Sequence, residues 1–286
     1  MMECKQKLSI AIPASLVSDV PHLREKTLRI GLVGRAAAIF RVNEIVVFPD
    51  ALGFDQSKEA SLIATILSYM ETPQYLRKQL VKIRPELQYV GILPPLRTPH
   101  HPLMNKLKDL TLGEHREGVV VASVKKGSLV DIGVERPVNI SEKGIPIDTR
   151  VTVKIVNLGE HPRAVVVTHD EIREYWGYRV AISNMTLGRM IESRSFDLVV
   201  ATSKYGVPLI EVMEKLVKRW KESCTVLVVF GAPTKGLHEI MAQEGLKLSE
   251  VADFVVNTIP RQGTETVRTE EALYASLAIL NSFVQK

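Results

Sequence analysis

The 286-residue chain is 45% apolar and 24% charged, the balance of a globular protein long enough to bury a core without disulfides. Its two cysteines, Cys4 and Cys224, belong to no CxxC or Cys/His cluster, so no metal site, no disulfide framework and a reducing compartment are expected. A net charge of +5 favours a polyanionic partner, and the lack of a long apolar run predicts a cytoplasmic protein with no membrane partner.

In chain order, LSIAI at 8–12 reads as a strand, 22–40 as a helix and EIVVFP as a second strand. Asp55 is placed to cap a long helix through SLIATILSYM, which Pro73 interrupts, and LQYVGIL reads as a further strand ending at Pro94-Pro95. Residues 94–163 then change character. Short β-branched runs (GVVVASVKKGSLVDIGV, PVNIS, RVTVKIVN, RAVVV) are broken by Gly, Pro and Asn with almost no helical period. They predict a small antiparallel, OB-like barrel. From about 164, four apolar runs, YRVAIS, FDLVVAT, TVLVVFG and ADFVVNT, alternate with amphipathic segments such as VPLIEVMEKLVKRW. That alternation predicts a parallel α/β sheet covered on both faces. The economical organisation is one α/β domain carrying an insert: 1–93, 94–163 and 164–286.

Two strand-to-helix turns stand out, because ligands of open α/β sheets bind at the carboxyl edge. In VLVVFGAPTKGLHEI, GAPTKG superficially resembles a phosphate loop, but Leu237 and His238 replace the Lys-Ser/Thr pair that a nucleotide site needs. No strand is followed by GxGxxG, which counts against a dinucleotide fold. In DFVVNTIPRQGTETVRTEEALYASLAILN an apolar strand enters a long polar loop and then a helix whose first turn carries Glu270 and Glu271, carboxylates suited to the dipole. Glu270 reads as a helix cap. A polar loop of that length between buried elements is usually functional.

Together with SKYG at 203–206, these loops resemble the three cofactor loops of the SPOUT RNA methyltransferases. KTLRIGLVGRAAAIFRVNEIVVFPD resembles that family's first motif, with Gly31 and Arg35 at the motif positions and Arg29 where some subfamilies have Asn. RAAAIFRVNEIVVF, NTIPRQGTETVRTEEA and the all-β insert are similar to the archaeal and eukaryotic branch with an inserted barrel. The resemblance covers nearly the whole chain and implies a C-terminal trefoil knot, which periodicity does not reveal. It also implies S-adenosylmethionine as cofactor, a homodimer with the site at its interface, and RNA as substrate, structured and ribosomal, methylated on a base nitrogen such as that of uridine.

On the same resemblance, Ser203, Tyr205 and Gly206 supply the first cofactor loop, and Gly231 and Ala232 the second. Asn257, Thr258, Ile259, Gly263, Thr264 and Thr266 supply the third. Arg35 is the expected catalytic cation and Glu265 the expected proton acceptor, while Arg261 and Arg268 border the third loop and are expected to hold RNA phosphate. The insert carries a net charge of +3 and no Phe, Tyr or Trp, so it is expected to grip RNA by phosphate and shape rather than by stacking. Lys125 and Lys126, in a hairpin-like turn, are its expected contacts. His100 and His101 read as linker surface. The rival readings are a knotted ribosome-assembly protein without catalysis and, more remotely, a nucleotide hydrolase.

Overall fold

The computed structural model describes residues 5–159, 161–194 and 196–283; Cys4 lies outside them. The first segment runs β1 (Lys7–Pro13), α1 (Leu23–Ile39), β2 (Glu44–Phe48), α2 (Ser57–Glu71) and α3 (Gln74–Leu80). The middle is β3 (His115–Val124), β4 (Gly127–Asp131), β5 (Val138–Ile140), β6 (Arg150–Asn157) and β7 (Arg163–Val166). The last segment is β8 (Arg179–Ile182), α4 (Leu187–Arg194), β9 (Leu198–Pro208), α5 (Leu209–Glu222), β10 (Thr225–Val229), α6 (Leu237–Gln243), α7 (Leu248–Val251), β11 (Phe254–Asn257) and α8 (Thr269–Asn281).

Two compact units result. One comprises residues 1–68, 86–94 and 178–286, the other 69–85 and 95–177. The first holds a six-stranded sheet ordered β11-β9-β10-β1-β2-β8, parallel throughout. Its central strands are near-continuous apolar runs, SIAIP, EIVVF and TVLVV, as strands buried on both faces must be. Phe48, Met190, Leu227, Val229, Ile240 and Met241 form one buried cluster that binds α4 and α6 to the sheet. Tyr178 donates its hydroxyl to the Leu67 carbonyl (3.1 Å) where the chain returns to this unit.

Two sequence expectations change here. LQYVGIL forms 3-10 turns at Pro85–Leu87 and Val90–Ile92 instead of a strand. The place beside β2 is taken by β8, which pairs with it in parallel from Glu44↔Arg179 to Val47↔Ile182. Cys224 is disulfide-bonded, against the expectation of no disulfide. The parallel pairing of β1 with β10 brings the N-terminal strand beside it, with Lys7 N–H donating to the Cys224 carbonyl (2.7 Å), a proximity that distance along the chain conceals.

The second unit is a closed five-stranded barrel ordered β3-β4-β5-β7-β6. Its pairs are antiparallel as expected, except β5 with β7, which is parallel. Leu110, Val120, Val130, Ile132, Val138, Ile140, Val153 and Ile155 fill its interior. Gly127 closes the β3–β4 hairpin at φ +141, where an added Cβ would lie on the Ile140 carbonyl oxygen (1.8 Å).

His100 and His101 are not surface. They are 0% and 9% exposed, and both direct Nε2 at the Glu71 carbonyl (3.1 and 2.7 Å). The reason is the unsatisfied carbonyl at the end of α2, which a ring N–H can cover once helix hydrogen bonding stops. The Glu71 side chain accepts both guanidinium terminal nitrogens of Arg150 (2.6 and 2.9 Å). Arg150 Nε in turn meets Glu117, which also accepts from Thr152 Oγ1 and Trp176 Nε1. Burial alone would raise the Glu71 carboxyl, but hydrogen bonds from His100 and Arg150 overcome it and hold the group at about 2. Burial, with neighbouring His100, pulls His101 down to about 4.

Candidate functional site

At the carboxyl ends of β9, β10 and β11, three loops meet around one cavity of about 200 Å³. The strand order places these ends side by side, since β9 is flanked by β11 and β10. Ser203 and Tyr205 line the cavity from the first loop, Gly231 and Ala232 from the second, and Asn257, Thr258, Ile259, Glu265 and Thr266 from the third. Its wall also includes Phe230, Leu237, Val267, Thr269 and Ala272, with Lys204, Lys235 and Glu239 as further charged groups.

The first loop is a wide bulge in a strand. Val255 pairs with Ala201, and the next residue, Val256, pairs with Val207, so residues 202–206 are looped out of the β9–β11 ladder. Gly206 stands where the chain rejoins it. A Cβ there would come within 2.6 Å of the Val256 carbonyl carbon, so the site needs Gly for close backbone approach. Asn257 Nδ2 donates to the Lys204 carbonyl (2.9 Å) while its Oδ1 accepts from Ile259 N–H (2.9 Å), tying the third loop to the first. Thr269 Oγ1 donates to the Gly231 carbonyl (2.8 Å), tying the start of α8 to the second loop. Thr258 and Ser276 hydroxyls share a hydrogen bond (2.8 Å). The cavity is thus framed by loops that hold one another.

The remaining predicted residues lie elsewhere. Gly206, Gly263 and Thr264 do not line the cavity, nor do Arg261 and Arg268, which are exposed on and after the third loop. Arg268 immediately precedes α8, its N–H donating to Glu271 (2.9 Å). Lys125 and Lys126 are exposed at the two-residue tip of the β3–β4 hairpin. Arg35 is half-buried on α1; burial raises the Tyr274 hydroxyl, and Arg35 is close enough to oppose part of that rise. It shares a helix face with Leu28, Leu32 and Ile39, which are 43%, 45% and 49% exposed. Glu270 is buried on the first turn of α8 and faces Arg29 Nε (3.4 Å), whose Nη1 also meets Asp19 (2.7 Å). Burial raises the Glu270 carboxyl. It is not the cap expected of it: Glu271 caps α8, and Glu270 instead joins α8 to α1. Sequence reasoning missed Lys235, Glu239 and Thr269 as lining residues. Thr269, at the junction of a polar loop and a helix, carried the one usable signal.

The donor set describes what the cavity can hold. Its walls are apolar side chains, loop amides and hydroxyls. Its charges balance, with two ammonium groups (Lys204, Lys235) against two carboxylates (Glu239, Glu265). A polyphosphate would need an excess of cations; a zwitterionic nucleoside would not. Among the described residues no cluster of His, Cys, Asp or Glu is grouped to hold a metal, and no helix is long and apolar enough to cross a membrane.

A family model described as "Putative RNA methyltransferase" matches residues 7–280. The chain is 35% identical to the 28S rRNA (uridine-N(3))-methyltransferase of Drosophila melanogaster over 97% of its own length, and spans 62% of that protein. To the Homo sapiens protein of the same name it is 34% identical over 96% of its length, spanning 77% of the relative. An uncharacterized protein of Haloarcula marismortui is 33% identical, with 95% of this chain and 98% of the relative aligned. With apolar strands, three interlocked loops and a match spanning nearly every residue, the chain belongs to the putative RNA methyltransferase family.

Proposed function

We propose that the chain is an S-adenosylmethionine-dependent methyltransferase acting on N3 of a uridine in structured ribosomal RNA. The observation that carries the reading is the meeting of three strand-end loops around one charge-balanced cavity, in a chain whose fly and human relatives are named for that reaction. The cofactor supplies a methyl group from its sulfonium. Backbone groups of Ser203, Tyr205, Gly231, Ala232, Asn257, Thr258, Ile259 and Thr266 would hold its adenosine, with Lys235 and Glu239 facing its amino-acid end. Gly206, Gly263 and Thr264 shape the same loops from behind.

The chain's task is positioning and charge stabilisation. Uridine N3 must shed its proton, and the resulting charge spreads onto the flanking carbonyl oxygens. Arg35 stabilises that charge, and Glu265, which lines the cavity, accepts the proton. Arg35 lies outside its own chain's cavity, and it shares the exposed face of α1 with Leu28, Leu32 and Ile39. That apolar stripe supports a homodimer in which Arg35 serves the partner's cofactor. Lys125, Lys126, Arg261 and Arg268 hold RNA phosphates.

The fold reading is the SPOUT class with a C-terminal trefoil knot, organised as 1–93, 94–163 and 164–286. The middle part is OB-like, a reading supported by the first-second-third-fifth-fourth strand order of the closed barrel. The cytoplasm is the proposed site of action, where the ribosomal RNA of this reading is reached, with the Cys224 disulfide a departure from that reducing setting. The test is methyl transfer from labelled cofactor to ribosomal RNA, followed by nucleoside mass spectrometry. A 3-methyluridine product is expected. Cofactor-product binding without any transfer would favour an assembly role, and no binding by folded protein would sink the enzyme reading.

A further inference from the structure

The seven Tyr, seven Phe and two Trp of the chain all lie among the described residues, and of these only Phe54 and Tyr205 are exposed, at 77% and 73%. Aromatic rings carry the largest apolar surfaces and are ordinarily buried or half-buried. Both exceptions sit at the carboxyl edge of the parallel sheet. Tyr205 projects from the bulge in β9 and lines the cavity, and Phe54 follows β2 by a few residues.

Neither loop is slack. Ser203 Oγ accepts the Tyr205 N–H (3.2 Å), and Asn257 pins the adjoining Lys204 carbonyl. Gln56 Oε1 accepts the Asp50 and Ala51 N–H groups (2.9 and 3.0 Å), while Asp50 accepts from Ser15 and from Gln56 Nε2. The chain therefore holds the two loops that carry these exposed rings at one edge. With β10 and β1 between β9 and β2, the two positions are three strand spacings, roughly 14 Å, apart.

Uridine N3 lies on the pairing edge of the base and is reached only when the base leaves its pair and stack. A protein compensates the lost stacking with an aromatic face, a contact every base accepts. The barrel offers none. Lys204 lies over the Tyr205 ring with Nζ 5.0 Å from its centroid, a cation placed for the adjoining phosphate. We propose that the Tyr205 ring is the platform on which the target uridine stacks beside the cavity, and that Phe54 takes a second unpaired base along the same edge. The inference rests on the methyltransferase reading. It assigns the Tyr205 side chain to RNA and leaves only its backbone to the cofactor.

The experiment compares wild type, Tyr205→Ala, Tyr205→Phe and Phe54→Ala. The readouts are anisotropy with a fluorescein-labelled oligouridylate, calorimetry with S-adenosylhomocysteine, and sedimentation. Tyr205→Ala is expected to lose about 5- to 150-fold in oligonucleotide affinity, and Tyr205→Phe to keep it. Affinity for S-adenosylhomocysteine and oligomeric state are expected to stay unchanged in both, and Phe54→Ala is expected to weaken the oligonucleotide as well. Unchanged oligonucleotide affinity in Tyr205→Ala overturns the proposal, and in Phe54→Ala it overturns the second platform. A parallel loss of S-adenosylhomocysteine assigns the ring to the cofactor, and a shift in sedimentation assigns it to a second copy of the chain; either overturns the proposal. Wild type that binds S-adenosylhomocysteine but not the oligonucleotide overturns this inference alone. Failure to bind S-adenosylhomocysteine strikes the methyltransferase reading beneath it.

Discussion

Glu71 shows how much one side chain can organise. Its carboxylate holds Arg150, its carbonyl receives two histidine rings, and the Arg150 it holds reaches the nearly inaccessible Glu117. Removing the Glu71 carboxylate takes the bidentate partner from Arg150, which keeps only Glu117. Glu71→Gln is therefore expected to lower stability by about 1–3 kcal/mol, read by urea unfolding. The group also predicts acid sensitivity. Glu71 is held below its ordinary 4.5 at about 2, so its contribution is present above pH 4.5 and is lost as pH falls towards 2. His101 is held below 6.5 at about 4. The unfolded chain takes up that proton first, and stability falls as pH drops from 6.5 to 4. Both effects run the same way. Melting temperature should fall steadily below pH 6.5, and His101→Gln should flatten the upper part of that slope; an unchanged slope would contradict the assignment.

At the scale of elements, the bulge in β9 converts a strand into a binding loop without ending it. Gly206→Ala pushes a methyl group against Val256 and is expected to destabilise by about 1–3 kcal/mol, with weaker binding of S-adenosylhomocysteine by calorimetry. Thr269→Val, which removes the bond to the Gly231 carbonyl, should cost about 1 kcal/mol and loosen the second loop. Much of this framework is legible in the sequence. TVLVVF and DFVVNT are apolar runs that stop abruptly at Gly, Pro or Asn, so the loops they feed announce themselves. The bulge is not legible, because SKYGVP reads as an ordinary strand end. Only pairing with β11 shows the chain rejoining the ladder at Val207. His100 and His101 mislead for a similar reason. Proline on either side suggests a surface linker, and the partner that buries them is a helix-end carbonyl 29 residues earlier. Local pattern reports what a segment prefers. It does not report which distant group is waiting for it.

For the whole molecule, the homodimer reading makes a separable prediction. Leu32→Asp places a carboxylate in the exposed stripe of α1 and should yield monomers by sedimentation. Methyl transfer should fall with it, since Arg35 would lose the neighbouring site, while the melting temperature changes little. The sheet itself has a further consequence, in time. Its middle is the pairing of Lys7–Ala11 with Thr225–Val229, the beginning of the chain against its last quarter. On a ribosome, β1 and β2 emerge early with one long edge open, and nothing closes that edge until β10 has been made. The barrel, contiguous from 95 to 177 in its larger part, can mature meanwhile. The α/β unit must wait, its most apolar strands exposed to any rival partner. Slow, chaperone-sensitive biogenesis is thus written into the strand order, and nascent chains stalled before β10 should be the ones that aggregate.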